Sequence, residues 1–264
     1  MASKTISGSS IIEFVDSHAP AMPSLPLTHV MDSYILERQY SESSISPLEK
    51  CDVYKEELVY LFYGRPSYRP DMSNMSSSLE YIEPVCFVLS PDVFQNVERL
   101  YPFDTGAHKE KLYDTILHPK MERADFELNP AKLEVAQKTI SAFFGENKAY
   151  LLATPKNISQ TGMDKTCLAY VNLIQNASRE EVDDRSSAIE LQFKRDVALD
   201  GNILAVIASV SEAEKLRKNI ENICWIDGNV EVLEYFSIGR SNPREAFGAM
   251  RQVTMKWLSD KGYF

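Results

Sequence analysis

The chain has 264 residues, of which 44% are hydrophobic and 25% are charged, a composition typical of a globular protein. The formal net charge of −10 argues against non-specific wrapping of nucleic acid, because a large negative field repels phosphate groups. No apolar run approaches the roughly 18 residues that cross a bilayer, and the first residues lack a basic start and an apolar core, so we expect a cytoplasmic protein with no membrane partner.

Several familiar motifs are missing from the sequence. It contains no glycine-rich phosphate loop, no Gly-x-Ser-x-Gly turn and no His-Glu-x-x-His pair, which argues against P-loop and Rossmann proteins, α/β-hydrolases and zincins. The four cysteines lie far apart, without the paired spacing of a zinc site or a disulfide framework. They are predicted to be buried or incidental thiols in a reducing compartment.

The first third of the chain predicts a leader followed by alternating elements. Residues 1–24 are expected to form a poorly ordered leader that docks only at 11–15, and a single domain is expected over 25–264. Short apolar runs predict strands, and helical spacing after the first strand predicts a helix over 31–40. The predicted strands are 27–30, 58–63 and 84–89, with a mobile loop over 71–78.

The remaining two thirds predict a helical insertion and then a return to strands. Residues 100–107 are typical of a strand end and a turn, and 108–180 is expected to be a mainly helical insertion, with its clearest helices at 131–144 and 165–177. Further elements are expected at 190–193, 203–208, 212–221 and 230–235, and as a final helix from Pro243. The pattern is that of a mixed α+β fold.

Glu190 is the most informative polar residue, because it lies within an alternating apolar segment. Period-two geometry places Ile189 and Leu191 on one face of the predicted strand and Ala188 and Glu190 on the other. A glutamate in this position is either a solvated edge residue or a carboxylate in a cleft.

Two earlier segments carry polar or aromatic residues in the same way. His29 lies at a predicted junction between strand and helix, where a histidine is more often a satisfied core residue than a ligand-binding one. Tyr60 and Tyr63 lie on the second strand, and Gly64-Arg65-Pro66 forms a turn that directs Arg65 towards the end of that strand.

The order of these segments resembles the ADP-ribosyltransferase superfamily of the His-Tyr-Glu type. The resemblance rests on Leu27-Thr28-His29-Val30 before a helix, on the aromatic strand 59–63, and on Arg185-x-x-x-x-Glu190 before the apolar run 203–208. It is most similar in style to DarT-like bacterial toxins that modify nucleic acids. The layout extends over about two thirds of the chain, whereas the matching residues are confined to these short segments.

The resemblance implies a split, twisted antiparallel β core that holds NAD in a cleft, with the helical insertion and the C-terminal helix added to it. According to this resemblance, His29 would bind a ribose hydroxyl, and Tyr60 or Tyr63 would stack on nicotinamide. Tyr63 is favoured because it adjoins the turn at the strand end. Arg65 would pair with the pyrophosphate, and Arg185 would belong to the same cofactor-binding set. Glu190 would be the catalytic residue that holds the 2′-hydroxyl of the nicotinamide ribose. An antitoxin or chaperone partner would restrain such a toxin.

One departure from the family narrows the acceptor. Relatives that modify arginine carry Glu or Gln two residues before the catalytic glutamate, whereas this chain has Ala188. The acceptor implied is therefore a nucleic acid, DNA or RNA, with another side chain or a small molecule as alternatives.

Two other classes of function remain open from the sequence. A magnesium-dependent nuclease could use Glu190 with Asp183 or Asp184, because carboxylate oxygens suit magnesium, although the spacing fits poorly. A non-catalytic module that binds a nucleotide or a protein partner would also fit the same segments.

Overall fold

The computed structural model describes residues 8–47, 50–51, 53–67, 82–175, 184–237 and 243–264. The loop predicted at 71–78 lies outside these residues. The strands are β1 (Leu27–Asp32), β2 (Ser44–Ile45), β3 (Val59–Tyr63), β4 (Pro84–Leu89), β5 (Arg99–Tyr101), β6 (Glu190–Phe193), β7 (Val197–Ala198), β8 (Ile203–Ser209) and β9 (Glu231–Tyr235). The α-helices are α1 (Ile11–Asp16), α2 (Ser33–Gln39), α3 (Thr105–Lys109), α4 (Leu133–Phe143), α5 (Asn147–Leu151), α6 (Lys165–Gln175), α7 (Val210–Lys218) and α8 (Pro243–Asp260).

The fold is α+β, with a mixed sheet of seven strands in the described part of the chain. The chain divides into two compact units. The first unit contains Met1–Ser24 and Val97–Leu191, and the second contains Leu25–Asn96 and Gln192–Phe264.

The second unit contains five neighbouring strands in the order β3-β1-β4-β8-β9. β1 pairs antiparallel with β3 and β4, and β4 pairs antiparallel with β8. β8 and β9, however, run parallel, so the expectation of a purely antiparallel core is wrong for this edge. The reason is that α7 connects the two strands, and a helical crossover returns the chain in the same direction.

The parallel edge is covered by helices. α7 packs on β8 and β9, and α8 packs on β4, β8 and β9. β2 and β7 form a separate antiparallel pair in the same unit. α8 begins at Pro243 as predicted, since proline is tolerated at the first helical position.

The first unit consists mainly of helices around an aromatic core. Phe103 is fully buried, and its ring contacts those of Tyr113, Phe126 and Tyr170. α1 packs on α4, and the rings of Phe14 and Phe143 are in contact.

The predicted helical insertion is only partly helical. α4 and α6 match the predicted helices at 131–144 and 165–177, and Gly145 follows α4 with φ of 87°, a conformation that glycine adopts without strain. Residues 110–132 instead contain turns and a short 3₁₀ helix at Arg123–Phe126. Pro119 and Pro130 lie in this stretch, and proline interrupts regular helix.

No helix in the described part of the chain is both long enough and apolar enough to cross a bilayer.

Candidate functional site

Glu190 is a buried carboxylate in the first unit. It is the first residue of β6, and its side chain is only 1% exposed. Oε2 accepts a hydrogen bond of 2.8 Å from the backbone N–H of Thr105, and Oε1 accepts one of 2.7 Å from the Thr105 hydroxyl. The burial excludes the solvated edge position that the sequence had left open.

The turn that carries Thr105 is itself fixed by hydrogen bonds. Asp104 precedes α3, and its carboxylate accepts from the backbone N–H of Ala107 at 2.9 Å, as an N-cap does. The backbone N–H of Asp104 donates to the carbonyl oxygen of Arg185 at 3.0 Å. The turn is thereby attached to the segment that leads into β6.

Arg185 lies in a 3₁₀ helix at Asp184–Ser187, just before that strand. Its carbonyl accepts from Asp104 and also from the backbone N–H of Ala188 at 3.2 Å. Its guanidinium lies 3.7 Å from the carboxylate of Glu110, which is more than half exposed. The structure thus shows Arg185 supporting the Glu190 segment through its backbone, while the predicted cofactor contact of its side chain stays a prediction.

Tyr150 supports the same segment from α5. Its hydroxyl accepts a 3.1 Å hydrogen bond from the backbone N–H of Ile189, and its side chain is fully buried. Sequence reasoning missed both Thr105 and Tyr150. The signal for Thr105 was its place after Asp104, a good N-cap residue, within a segment already predicted to turn.

His29 lies on β1 in the second unit and is partly exposed. Its Nδ1 lies 2.8 Å from the carbonyl oxygen of Tyr60. Because a carbonyl only accepts, Nδ1 carries the proton, and in the neutral ring Nε2 is then a hydrogen-bond acceptor. Burial lowers the pKa of His29, and the Tyr60 carbonyl opposes this shift in part.

The two predicted tyrosines differ in exposure. Tyr63 is fully buried, and its hydroxyl accepts a 2.9 Å hydrogen bond from the backbone N–H of Leu25. Tyr60 is only partly buried, and its hydroxyl donates to the Sγ of Cys51. Of the two tyrosines, Tyr60 is the one that is partly exposed to solvent.

Arg65 lies two residues after the end of β3. Gly64, between them, has φ of 77°, and its N–H donates to the carbonyl of Pro26 at 2.8 Å, which ties this end of β3 to the residue before β1. Arg65 is fully buried. Its guanidinium therefore lies within the second unit, near the end of β3.

The predicted site residues therefore form two sets. His29 and Tyr60 are joined by a hydrogen bond in the second unit, where Tyr63 and Arg65 also lie. Glu190 and Arg185 both bind the turn at 104–105 in the first unit. Asp183, one predicted metal ligand of a nuclease, lies outside the described residues, and within those residues no three His, Cys, Asp or Glu side chains are grouped as a metal site.

Comparisons with known proteins give only distant likenesses. No protein-family model matches the chain, and no curated protein matches it. Solved structures of Thermus sp. 2.9 DarT align over most of both chains. The complex with NAD+ has a TM-score of 0.43 at 11% identity, covering 80% of this chain and 96% of that one. The complex with ADP-ribosylated single-stranded DNA has a TM-score of 0.43 at 11% identity, covering 82% and 97%. At this level, the likeness does not by itself assign a function.

The environment of His29 predicts a specific titration. Its imidazole should take up a proton only at a pH below the ordinary value of 6.5, because burial favours the neutral ring. The unfolded chain binds more protons in the window between the lowered value and 6.5, so folding stability falls as the pH falls through that window. Proton–nitrogen NMR of the histidine rings over a pH series measures the titration, with the denatured protein as the control. A native midpoint at or above 6.5 would contradict it.

Proposed function

We propose that this protein is an NAD-dependent ADP-ribosyltransferase that transfers ADP-ribose to a nucleic acid and releases nicotinamide. The observation that carries the proposal is the Glu190 carboxylate, which is buried at the start of β6 and bound through both oxygens. This is the position at which the sequence resembles the catalytic glutamate of such enzymes.

The chemistry suits a held carboxylate. Breaking the bond between nicotinamide and ribose leaves an electron-poor, oxocarbenium-like sugar, and a nearby negative charge stabilises it. A hydrogen bond from the ribose 2′-hydroxyl to the carboxylate strengthens as that charge develops. A carboxylate can accept about four hydrogen bonds, which makes Glu190 a suitable acceptor for the sugar hydroxyl.

The other residues proposed to bind NAD carry groups that suit particular parts of it. The neutral His29 presents Nε2 as an acceptor for a ribose hydroxyl. The guanidinium of Arg65 matches the charge and the fork geometry of a pyrophosphate. Arg185 is proposed as a further cation for the cofactor.

An aromatic ring is proposed to stack on nicotinamide, which is cationic in NAD, through its electron-rich face. Stacking requires an accessible ring face. The partial exposure of Tyr60 therefore favours it over Tyr63, although the position of Tyr63 at the strand end had favoured the latter.

The proposed acceptor is DNA or RNA. Ala188 occupies the position at which arginine-modifying relatives carry Glu or Gln, which disfavours transfer to protein arginine. The Thermus DarT structures include one with ADP-ribosylated single-stranded DNA, and we propose a nucleic-acid acceptor for this chain as well. A toxin-like role, with an antitoxin or chaperone that restrains it, completes the proposal.

Substitutions that remove the aromatic ring distinguish the two tyrosines. Tyr60→Leu should raise the Kd for NAD by about two- to thirtyfold, because a stacking contact with a cation contributes about 0.5–2 kcal/mol. Tyr63→Leu, which replaces the buried ring by another apolar side chain, should leave the Kd of the folded protein close to that of the wild type. Titration calorimetry with NAD measures both variants, and thermal unfolding checks that each is folded. Weaker binding by folded Tyr63→Leu with unchanged binding by Tyr60→Leu would reverse the assignment.

Substitution of Glu190 tests the catalytic assignment. Glu190→Gln should lose at least about two orders of magnitude in the rate of nicotinamide release, the scale of removing one preorganised transition-state contact. Glu214→Gln is the matched control, because Glu214 is a half-exposed carboxylate on the surface of α7. Chromatography of released nicotinamide gives the rates, and thermal unfolding checks the folding of each variant. Near-wild-type turnover by folded Glu190→Gln would remove Glu190 from the mechanism.

The nuclease alternative is tested with labelled DNA and RNA under the four combinations of NAD and EDTA. A transferase requires NAD, tolerates EDTA and leaves the polymer intact but heavier by ADP-ribose. A magnesium nuclease ignores NAD, is inhibited by EDTA and shortens the polymer. Gel electrophoresis and mass spectrometry separate these results. Strand scission that needs no NAD and is abolished by EDTA would overturn the proposed function.

A further inference from the structure

Thr105 donates two hydrogen bonds to the Glu190 carboxylate. We infer that it is a positioning residue for Glu190, fixing the rotation of the carboxylate so that one oxygen is directed at the 2′-hydroxyl of the substrate ribose. This inference rests on the proposed function and adds to it a residue that the sequence did not indicate.

The two hydrogen bonds differ in what they fix. The backbone N–H of Thr105 binds Oε2 and the hydroxyl of the same residue binds Oε1, at 2.8 and 2.7 Å. A single donor would leave the carboxylate plane able to rotate about the end of the side chain. Donors to both oxygens define that plane, and both are short, as is typical of bonds to a charged acceptor.

Thr105 is well suited to this task because it is rigid and fully buried. A β-branched side chain has few accessible rotamers, so its hydroxyl has a defined direction. Its backbone is fixed by the neighbouring turn. The hydroxyl of Tyr113 donates to the carbonyl of Asp104 at 3.4 Å, and that of Tyr170 donates to the carbonyl of Pro102 at 2.9 Å.

The consequence concerns the chemical step more than binding. Loss of the hydroxyl would remove one of the donors that fix the direction of the carboxylate, without removing the carboxylate itself. A small misplacement of a catalytic group lowers the rate of the bound complex, whereas the ground-state contacts that hold NAD elsewhere are unchanged.

The experiment compares three variants of the full chain. Thr105→Val removes the hydroxyl at almost constant shape, Thr105→Ala removes it without β-branching, and Thr105→Ser retains it. For the release of nicotinamide from NAD, Val and Ala should lower kcat by about ten- to a hundredfold, with KM for NAD within about threefold of the wild type. Ser should restore kcat to within about threefold.

The pH profile gives a reading that a merely structural role would not change. A carboxylate that loses a donor is protonated more readily, so the acid limb of kcat/KM should move to higher pH in Thr105→Val but not in Thr105→Ser. Carbon-13 NMR of the Glu190 carboxyl group should show the same upward movement, and this measurement needs no activity.

The outcomes separate this inference from the proposed function. If the wild type releases nicotinamide and folded Thr105→Val matches it in kcat and in pH profile, the positioning role is overturned and the proposed function stands. If the wild type releases none, the proposed function fails, and an unchanged carboxyl titration in Thr105→Val and Thr105→Ala then overturns the Thr105–Glu190 coupling as well.

Discussion

The hydrogen bonding of one buried carboxylate is the constraint on which the first unit's candidate site depends. A charged group removed from water is tolerated only where donors replace its hydration, and Thr105 supplies two of them to Glu190. The turn at 102–105 and the start of β6 therefore hold each other in place. Each carries the partner that the other needs, and the carbonyl of Arg185 adds a backbone link between them.

In the second unit, the imidazole of His29 is also held in a defined orientation, but as a neutral group. There, burial favours the uncharged form of His29, and the Tyr60 carbonyl selects the tautomer. An ionisable ring becomes a neutral acceptor with a fixed direction. The carboxylate is fixed by donors to both of its oxygens, and the imidazole by an acceptor for its Nδ1 proton.

The regular elements followed from local patterns, while the pairing of the site residues did not. β4 and the start of α8 lie where apolar runs and Pro243 predicted them, because these signals are contained within a few neighbouring residues. The direction of β9 was missed, since nothing in its own residues states the direction of its partner. The sequence predicted a helix between β8 and β9, and a helix in that place is a typical crossover between parallel strands.

The hydrogen bonds between Thr105 and Glu190 could not be predicted from local sequence patterns either. Thr105 lies 85 residues away in sequence, and a threonine after an aspartate at a turn is most simply a residue of the cap. The sequence identified Glu190 as a residue of interest but left its burial undecided, because a strand face can meet either water or other protein. Burial is decided by what packs on that face, which a single segment does not contain.

The hydroxyl of Tyr150 shows that the helical segment supports the strand that carries Glu190. α5 supplies the acceptor for the backbone N–H of Ile189, just before Glu190. The helical segment therefore helps to hold this strand in place. A shortened protein made by excising the segment would leave that N–H buried without its acceptor. The helical segment and the glutamate strand are thus expected to be inherited as one unit, and loss of one should be accompanied by loss of the other.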